Sequence, residues 1–352
     1  MGYTFAMNKP SETALYRKYR PQSFSEVLGQ DHISKVLEGS IKLGRISHAY
    51  LFSGSRGTGK TSVARIFAKE IGTKPEDIYE IDAASNTGVD DVRALNESVN
   101  VLPFLSKYKV YIVDEVHMLS KSAFNALLKT LEEPPAHVIF ILATTEFEKL
   151  PETIVSRCQS FSFKRPSQEI LAKVIAGAAK KESFSLEASS ADLIALLADG
   201  SFRDALGILQ KVTSSSRDKK ISVEEVELVT GAPKASIVND LIVGIEKQDL
   251  EKALSVIRKV AEQGIDMKVF AKLLLRKLRF VLLLRFAPRL KETIESELST
   301  EDFSFISERA LAKDSRINEE TLLQFLEAYE GMRDSFVPEL PLELALIQIL
   351  QT

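Results

Sequence analysis

The stretch AYLFSGSRGTGKTSVARIFAKEIG, residues 49–72, changes character twice within its length. Ala49-Tyr-Leu-Phe-Ser53 is a short apolar run of the kind a buried strand uses. Gly54-Ser-Arg-Gly-Thr-Gly-Lys60-Thr61 follows, a complete G-x-x-x-x-G-K-[ST]. SVARIFAKEIG then reads as a helix. A loop that wraps phosphates needs glycines so that its backbone N–H groups can point inward. The helix behind it turns its positive end to the same anion. Gly54, Ser55, Gly57, Thr58, Gly59, Lys60, Thr61 and Ser62 are therefore candidate phosphate-binding residues. Lys60 is placed to reach the β- and γ-phosphates, and the Thr61 hydroxyl to serve Mg²⁺. A chance glycine-rich turn would not be expected to have a strand before it and a helix after it.

Further strands are predicted on the C-terminal side at Ile78–Ile81, Lys109–Glu115, Val138–Ala143 and Phe161–Lys164. Helices are predicted between them, over Val89–Leu102 and around Phe124, Leu127, Leu128 and Leu131, which share one helical face and stop before Pro134-Pro135. On the N-terminal side, residues 13–45 read as two short helical pieces around a loop, the first ending at Pro21. Alternating apolar strands and amphipathic helices predict an α/β domain, a five-stranded parallel sheet with helices on both faces. After Pro166 the strand signal vanishes. Residues 167–230 read as a small helical unit and 236–352 as a larger one. KVTSSSRDKK at 211–220 reads as a polar loop, and Gly231-Ala-Pro233 as a linker.

Four other sites carry chemistry. Val110-Tyr-Ile-Val-Asp114-Glu115 puts two acids at the carboxyl end of a strand, the edge where the glycine loop also lies. Asp114 would hold Mg²⁺ and Glu115 would polarise an attacking water; by themselves they would read as solvated strand-end acids. Thr145, after the next strand, offers a hydroxyl to a γ-phosphate or a water. Arg157, in Ser156-Arg-Cys158, reads as a surface ion pair or as a guanidinium that acts in trans on a neighbour's phosphate. Cys158 reads as a packing residue. In Gly200-Ser-Phe-Arg203-Asp204, Ser201 and Asp204 look like a helix cap. Arg203, a cation in a first turn, would sit better facing an anion.

Composition limits the rest. The 352 residues carry 46 basic and 49 acidic side chains, a net charge of -3, so bulk charge does not make this a nucleic-acid binder. The single cysteine rules out an internal disulfide and a cysteine-based zinc site, and the four histidines lack ligand spacing. The first dozen residues have no signal-peptide pattern, and no apolar run reaches the ~18 residues of a membrane span. A cytoplasmic setting is expected.

LYRKYRPQSFSEVLGQ, HAYLFSGSRGTGKTS, EIDAASNTGVDDVR, VYIVDEVHMLSKSAFNALLKTLEEPP, ATTEFEKLPETIVSRC, GSFRDAL and ELPLELALI, in this order, resemble the AAA+ clamp loaders, and most closely the gamma/tau subunits of bacterial DNA polymerase III. The resemblance implies an AAA+ nucleotide-binding domain over 1–165, a small helical lid over 166–232 and an all-α collar that oligomerises over 233–352. It implies an ATP-driven motor subunit that opens a sliding clamp and loads it on primed DNA, with ATP and Mg²⁺ as cofactors. The implied partners are delta, delta-prime, further gamma/tau copies, the clamp and the DNA. Lys60, Thr61, Asp114, Glu115, Thr145 and Arg203 would serve the chain's own nucleotide, and Arg157 a neighbour's. Tyr16, Arg17, Pro21, Val27 and His48 would lie near adenine and ribose.

The chain departs from that family in two ways. Where the family carries a four-cysteine zinc module, Ala68–Pro75 passes straight through, so zinc is not expected. The chain also stops at Thr352, without a tau-type tail, which suits a gamma-like core or a truncation. No polymerase active site is visible; a polymerase label would belong to the holoenzyme. Asn86-Thr-Gly88, opening a helix, reads either as a DNA-phosphate contact or as an ordinary helix start. Two rival functions remain. A non-hydrolysing scaffold subunit would be expected to lose the glycine loop. A branch-migration motor would need a winged-helix reader in place of the amphipathic helices of 236–352.

Overall fold

The computed structural model describes residues 13–85, 87–216, 218–296, 298, 300–312 and 316–351. The chain divides into two compact units, one of Met1–Val174 with Ala198–Gly207, the other of Ile175–Leu197 with Ile208–Thr352.

The first unit runs α1 (Leu15–Lys18), α2 (Asp31–Lys42), β1 (Ala49–Ser53), α3 (Lys60–Glu70), β2 (Ile78–Asp82), α4 (Val89–Val99), β3 (Lys109–Asp114), α5 (Lys121–Glu132), β4 (Val138–Thr144), α6 (Glu152–Val155) and β5 (Gln159–Ser162). Its five strands pair in the order β2-β3-β4-β1-β5, every pair parallel. The three inner strands are buried almost throughout, as apolar runs should be when both faces are covered, while β2 and β5 are partly exposed edges. Alternation along the strands separates two cores. Val110, Ile112, Ile139 and Ile141 pack with Ile33, Leu37, Val63 and Phe67 of α2 and α3. Tyr111, Val113, Phe140 and Leu142 pack with Val92, Leu95, Phe124, Leu127 and Ile154 of α4, α5 and α6. Tyr79, Tyr111 and Phe140 lie in register on neighbouring strands and stack, with ring centroids 5.2 and 5.5 Å apart. Such cross-strand aromatic pairs fix register as well as adding stability.

The expected fold class holds, with local corrections. The fifth strand lies at 159–162, not 161–164: Phe161 alone is buried in it, and pairing with β1 recruits the polar Gln159 and Ser160. The third strand stops at Asp114, because Glu115 takes a left-handed backbone. Helix α4 ends at Val99, not Leu102. Lys109 Nζ donates to the carbonyls of Ser98 (2.7 Å) and Val101 (3.4 Å), and the His137 ring pairs with that of Val99 (3.1 Å). Helix-end carbonyls favour such partners.

Beyond β5 come α7 (Gln168–Lys181), β6 (Ser185–Leu186), α8 (Ala188–Leu197), α9 (Phe202–Ser215), β7 (Lys220–Ile221), α10 (Val223–Thr230), α11 (Ala235–Glu246), α12 (Leu250–Glu262), α13 (Met267–Phe286), α14 (Lys291–Ser296), α15 (Thr300–Leu311), α16 (Glu319–Gly331) and α17 (Leu340–Gln351). Strand structure therefore does not vanish after Pro166: β6 and β7 form a parallel pair two residues long, too short for periodicity to reveal. The expected loop over 211–220 is helical up to Ser215. Its hydroxyls fold back onto the helix, Ser214 Oγ donating to Gln210 O at 2.8 Å and Ser215 Oγ to Val212 O at 2.9 Å. In the second unit, Phe270, Leu274 and Leu278 of α13 are buried among Leu241, Ile257, Ile306, Phe325 and Leu346. Asp249, Asp266 and Asn318 cap the helices that follow them. Among the described residues, no single helix is long and apolar enough to cross a membrane.

Candidate functional site

The site lies at the carboxyl ends of β1, β3 and β4. Ser53 at the end of β1 is in register with Thr144 at the end of β4, and Gly54 N donates to Thr144 O at 3.2 Å. The loop then turns through Gly54, Gly57 and Gly59 at φ of 143°, 75° and 104°. Thr58 is buried and its hydroxyl donates to Ser55 O at 2.9 Å. Lys60 opens α3 and folds back over the loop, Nζ donating to Gly54 O (2.6 Å) and Ser55 O (3.0 Å). Burial pulls its pKa down, as does nearby Arg203, while Glu115 and Asp114 oppose the shift. An anion in front of the loop would favour the charged form.

Behind Lys60, the Thr61 hydroxyl donates to Asp114 Oδ2 at 2.8 Å. The contact spans β4, which separates β3 from β1. Glu115, next along, has φ 49° and ψ 43°. An L-residue with a Cβ rarely adopts this conformation unless its surroundings hold it there. Here Glu115 N donates to Asp114 Oδ1 at 3.1 Å, and Glu115 Oε2 accepts from Thr145 Oγ1 at 2.9 Å and Thr145 N at 3.3 Å. Glu115 and Thr145 are thus brought together.

These residues fit a magnesium-bound triphosphate. The glycine at 59 leaves open space where a Cβ would point. Lys60 and the first-turn amides of α3 supply positive charge. Thr61 and Asp114 offer hard oxygen donors side by side, the type Mg²⁺ takes.

A second part of the chain closes on the loop. Phe202 N donates to Gly57 O at 3.0 Å, and a Cβ at Gly57 would lie 2.0 Å from Ser201 Oγ. Ser201 Oγ also accepts from Asp204 N at 3.2 Å, the expected helix cap. The Arg203 guanidinium lies 5.6 Å from the Tyr16 ring. Arg165 Nε donates to Ser55 Oγ at 3.0 Å.

The model of "DNA polymerase III, delta subunit" matches residues 29–86 and 73–167, and that of "DNA polymerase III subunits gamma and tau domain III" matches 221–352. The tau subunit of Bacillus subtilis is 39% identical over 367 residues, covering 97% of this chain. The chain belongs to the gamma/tau family of DNA polymerase III subunits. The Escherichia coli tau subunit is 38% identical over 299 residues, covering 79% of this chain and 46% of its own length. The chain spans 64% of the length of the Bacillus relative. Among solved structures, a Thermotoga maritima RuvB Holliday junction branch migration motor aligns with a TM-score of 0.52 at 24% identity, over 64% of this chain and 79% of its own. At that identity the likeness shows the AAA+ fold alone.

The remaining expected residues of this gamma/tau-family chain fall unevenly about the site. Tyr16 is half-buried beside Arg203, and the Arg17 guanidinium lies 5.7 Å from the Tyr16 ring. Pro21 is half-buried in the loop after α1, and Val27 packs on the α2–α3 face of the sheet. Ser62 is half-buried in the first turn of α3. His48 stands farther off. It is exposed at the amino end of β1, and a five-residue strand separates it from the glycine loop by roughly 16 Å. Arg157 stands apart from the loop after α6, where NH1 donates to Thr153 O at 2.8 Å and NH2 pairs with Glu132. Asn86 lies outside the described residues. At the start of α4, Gly88 N already donates to Asp91 Oδ2 at 3.1 Å, the ordinary capping alternative.

Three residues escaped the sequence reading. Buried Gln30 accepts from Lys164 N (3.1 Å) and donates to Lys164 O (2.7 Å), tying the loop after α1 to the end of β5. Arg165 touches the glycine loop, and His117 lies between Glu115 and Glu146. No local spacing signals these contacts; they join distant segments, except for His117, whose place two residues after Glu115 was the available hint. Cys158 packs against the α4–α5 core, where burial pushes its thiol up to about 12. Native protein at pH 8 should therefore react with a thiol reagent far more slowly than urea-unfolded protein; equal rates would contradict the packing.

Proposed function

We propose that this chain is the ATP-driven motor subunit of a bacterial replicative clamp loader, binding and hydrolysing ATP with Mg²⁺ to open a sliding clamp and load it on primed DNA. One observation carries the reading: Lys60, the Thr61–Asp114 pair and the Glu115–Thr145 pair converge at one edge of one sheet. A scaffold subunit that has given up hydrolysis has no need of all three.

Thr61 and Asp114 would hold Mg²⁺, which when bound neutralises phosphate charge. Lys60 and the α3 amides hold the β- and γ-phosphates in place. Glu115 takes a proton from the attacking water, and Thr145 keeps its carboxylate aimed. Arg203, from the segment docked on Gly57, and Tyr16 of α1 close over the nucleotide. Arg157 acts on the next subunit's nucleotide. Its present partner is an exposed carboxylate, and a surface pair of that kind is cheap to exchange.

Partner surfaces fit the same reading. After α4, Val101, Leu102, Phe104 and Leu105 are exposed, Phe104 to 79%. The ridge is held rigidly: buried Asp77 accepts the amides of Phe104 and Leu105 at 2.5 and 2.8 Å. A fixed apolar ridge suits docking on the clamp. Leu323, Leu326, Leu340 and Leu344 of the C-terminal helices, and Phe336 between α16 and α17, are exposed and suit packing against delta, delta-prime and further gamma/tau copies. We assign 1–165, 166–232 and 233–352 as the nucleotide-binding, lid and collar parts of a cytoplasmic protein.

Steady-state hydrolysis tests this. The chain alone should be slow, and delta, delta-prime, clamp and primed DNA together should stimulate it. Lys60→Ala should abolish both rates. Arg157→Ala should still bind ATP but lose stimulation. Phe104→Asp should lose the clamp's share alone. If clamp and primed DNA change nothing, the clamp-loader assignment fails and a bare ATPase remains.

A further inference from the structure

We propose that His117 is a positioning residue for hydrolysis, holding the Glu115 carboxylate in line with the loop at the end of β4. The inference rests on the reading of Glu115 as the group that activates water.

His117 lies in the 3-10 turn Val116–Met118, directly after Glu115, and its side chain is only 7% exposed. Its two ring nitrogens face two carboxylates. Nδ1 is 3.5 Å from Glu115 Oε2, and Nε2 is 3.2 Å from Glu146 Oε2. A carboxylate oxygen only accepts, so Nε2 carries a proton and donates to Glu146, and Nδ1, an acceptor in that tautomer, packs against Glu115 Oε2 as a wall without bonding it. Nδ1 also meets Thr144 Oγ1 at 3.0 Å, and that hydroxyl accepts from Glu146 N at 3.0 Å. Glu146 is held from its other side by Lys149 Nζ at 2.6 Å. The charged groups facing the ring are thus Glu115 and Glu146, with Lys149 behind the latter.

Burying an imidazole costs free energy unless its nitrogens are paired, and an apolar side chain would fill the same space more cheaply. What the ring adds is a link. One side touches the carboxylate that hangs from a left-handed residue with little conformational preference of its own. That same nitrogen, Nδ1, meets Thr144, and the far one meets Glu146, the two residues that flank Thr145, the second anchor of that carboxylate. Remove the ring and the Glu115 carboxylate loses that wall and keeps the two bonds from Thr145. A carboxylate free to swing by about an ångström loses roughly a hundredfold in rate, because the attack geometry is realised in fewer configurations.

The test uses the 352-residue chain with its partner subunits, clamp and primed DNA. Single-turnover hydrolysis is measured beside the Kd of a fluorescent ATP analogue with Mg²⁺. His117→Ala should lower the hydrolysis rate roughly tenfold to a hundredfold and leave the Kd unchanged. His117→Gln should recover part of the rate, since its amide can still donate to Glu146 and accept from Thr144. Glu146→Gln, at a partly exposed position, should act in the same direction and guards against a His117 variant that fails to fold. In a Glu115→Gln background, His117→Ala should lower the residual rate no further. A His117→Ala rate equal to wild type, or a rate loss matched by lost nucleotide affinity and not rescued by Gln, overturns the inference while a dead Glu115→Gln leaves the function standing. If Glu115→Gln itself hydrolyses normally, the function reading of Glu115 fails first.

Discussion

Glu115→Gln is expected to bind ATP as wild type does and to hydrolyse it roughly a hundred to ten thousand times more slowly, the usual worth of a general base. The substitution changes no volume. A Gln carbonyl oxygen can keep both bonds that Thr145 donates to Glu115 Oε2, so the strained backbone at 115 retains its side-chain anchor. What is lost is basicity toward the water. Lys60→Ala should behave differently: it removes the cation that folds over the glycine loop, so affinity should fall along with turnover. Single-turnover hydrolysis at saturating ATP, with Kd measured separately, distinguishes the two. Near wild-type turnover in Glu115→Gln would remove Glu115 from the chemistry. A Kd that weakens in step with the rate would make it a binding residue.

Gly57→Ala should be as damaging by a physical route with no acid–base component. Gly57 sits at φ 75°, and its missing Cβ would lie 2.0 Å from Ser201 Oγ and 2.9 Å from Ser201 Cβ. A left-handed alanine and an overpacked contact each cost about 1–3 kcal/mol. Relief requires residues 198–207 to move off the loop, carrying Arg203 with them. We expect a destabilisation of about 2–4 kcal/mol in urea unfolding and a large loss of ATP affinity. Ser201→Gly added to Gly57→Ala removes both close atoms, and glycine at a helix N-cap costs only a few tenths of a kcal/mol, so the double variant should recover part of each loss. Unimpaired Gly57→Ala, or a double variant no better than the single, would mean the segment is not seated on the loop as described.

The contrast between Gly57 and Glu115 shows what was legible beforehand. Gly57 was legible as part of a glycine-rich loop, but it fills a free position of G-x-x-x-x-G-K-[ST], and the steric reason for a glycine there, Ser201, lies far along the chain. Glu115 was recognisable as a strand-end acid, yet its left-handed backbone was not, because a Glu with a Cβ carries no local preference for that conformation. Phe161 signalled a fifth strand, but the strand's start depended on pairing with β1. His48 stands away from the loop for a related reason. It adjoins the motif in sequence, but an extended strand carries neighbours in sequence to opposite ends of a sheet.

Sequence by itself determined the glycine loop, the acids after β3, the alternation of strands and helices and the family, because each depends on residues within about a turn or a strand of one another. Tertiary structure alone decided the strand order, which seats β4 between β1 and β3 and sets Thr61 against Asp114, 53 positions apart. It also decided the clasp of Gln30 on Lys164, 134 positions apart, and the lodging of His117 between two carboxylates. These contacts are made by packing between segments, and local spacing carries no record of which segments will meet.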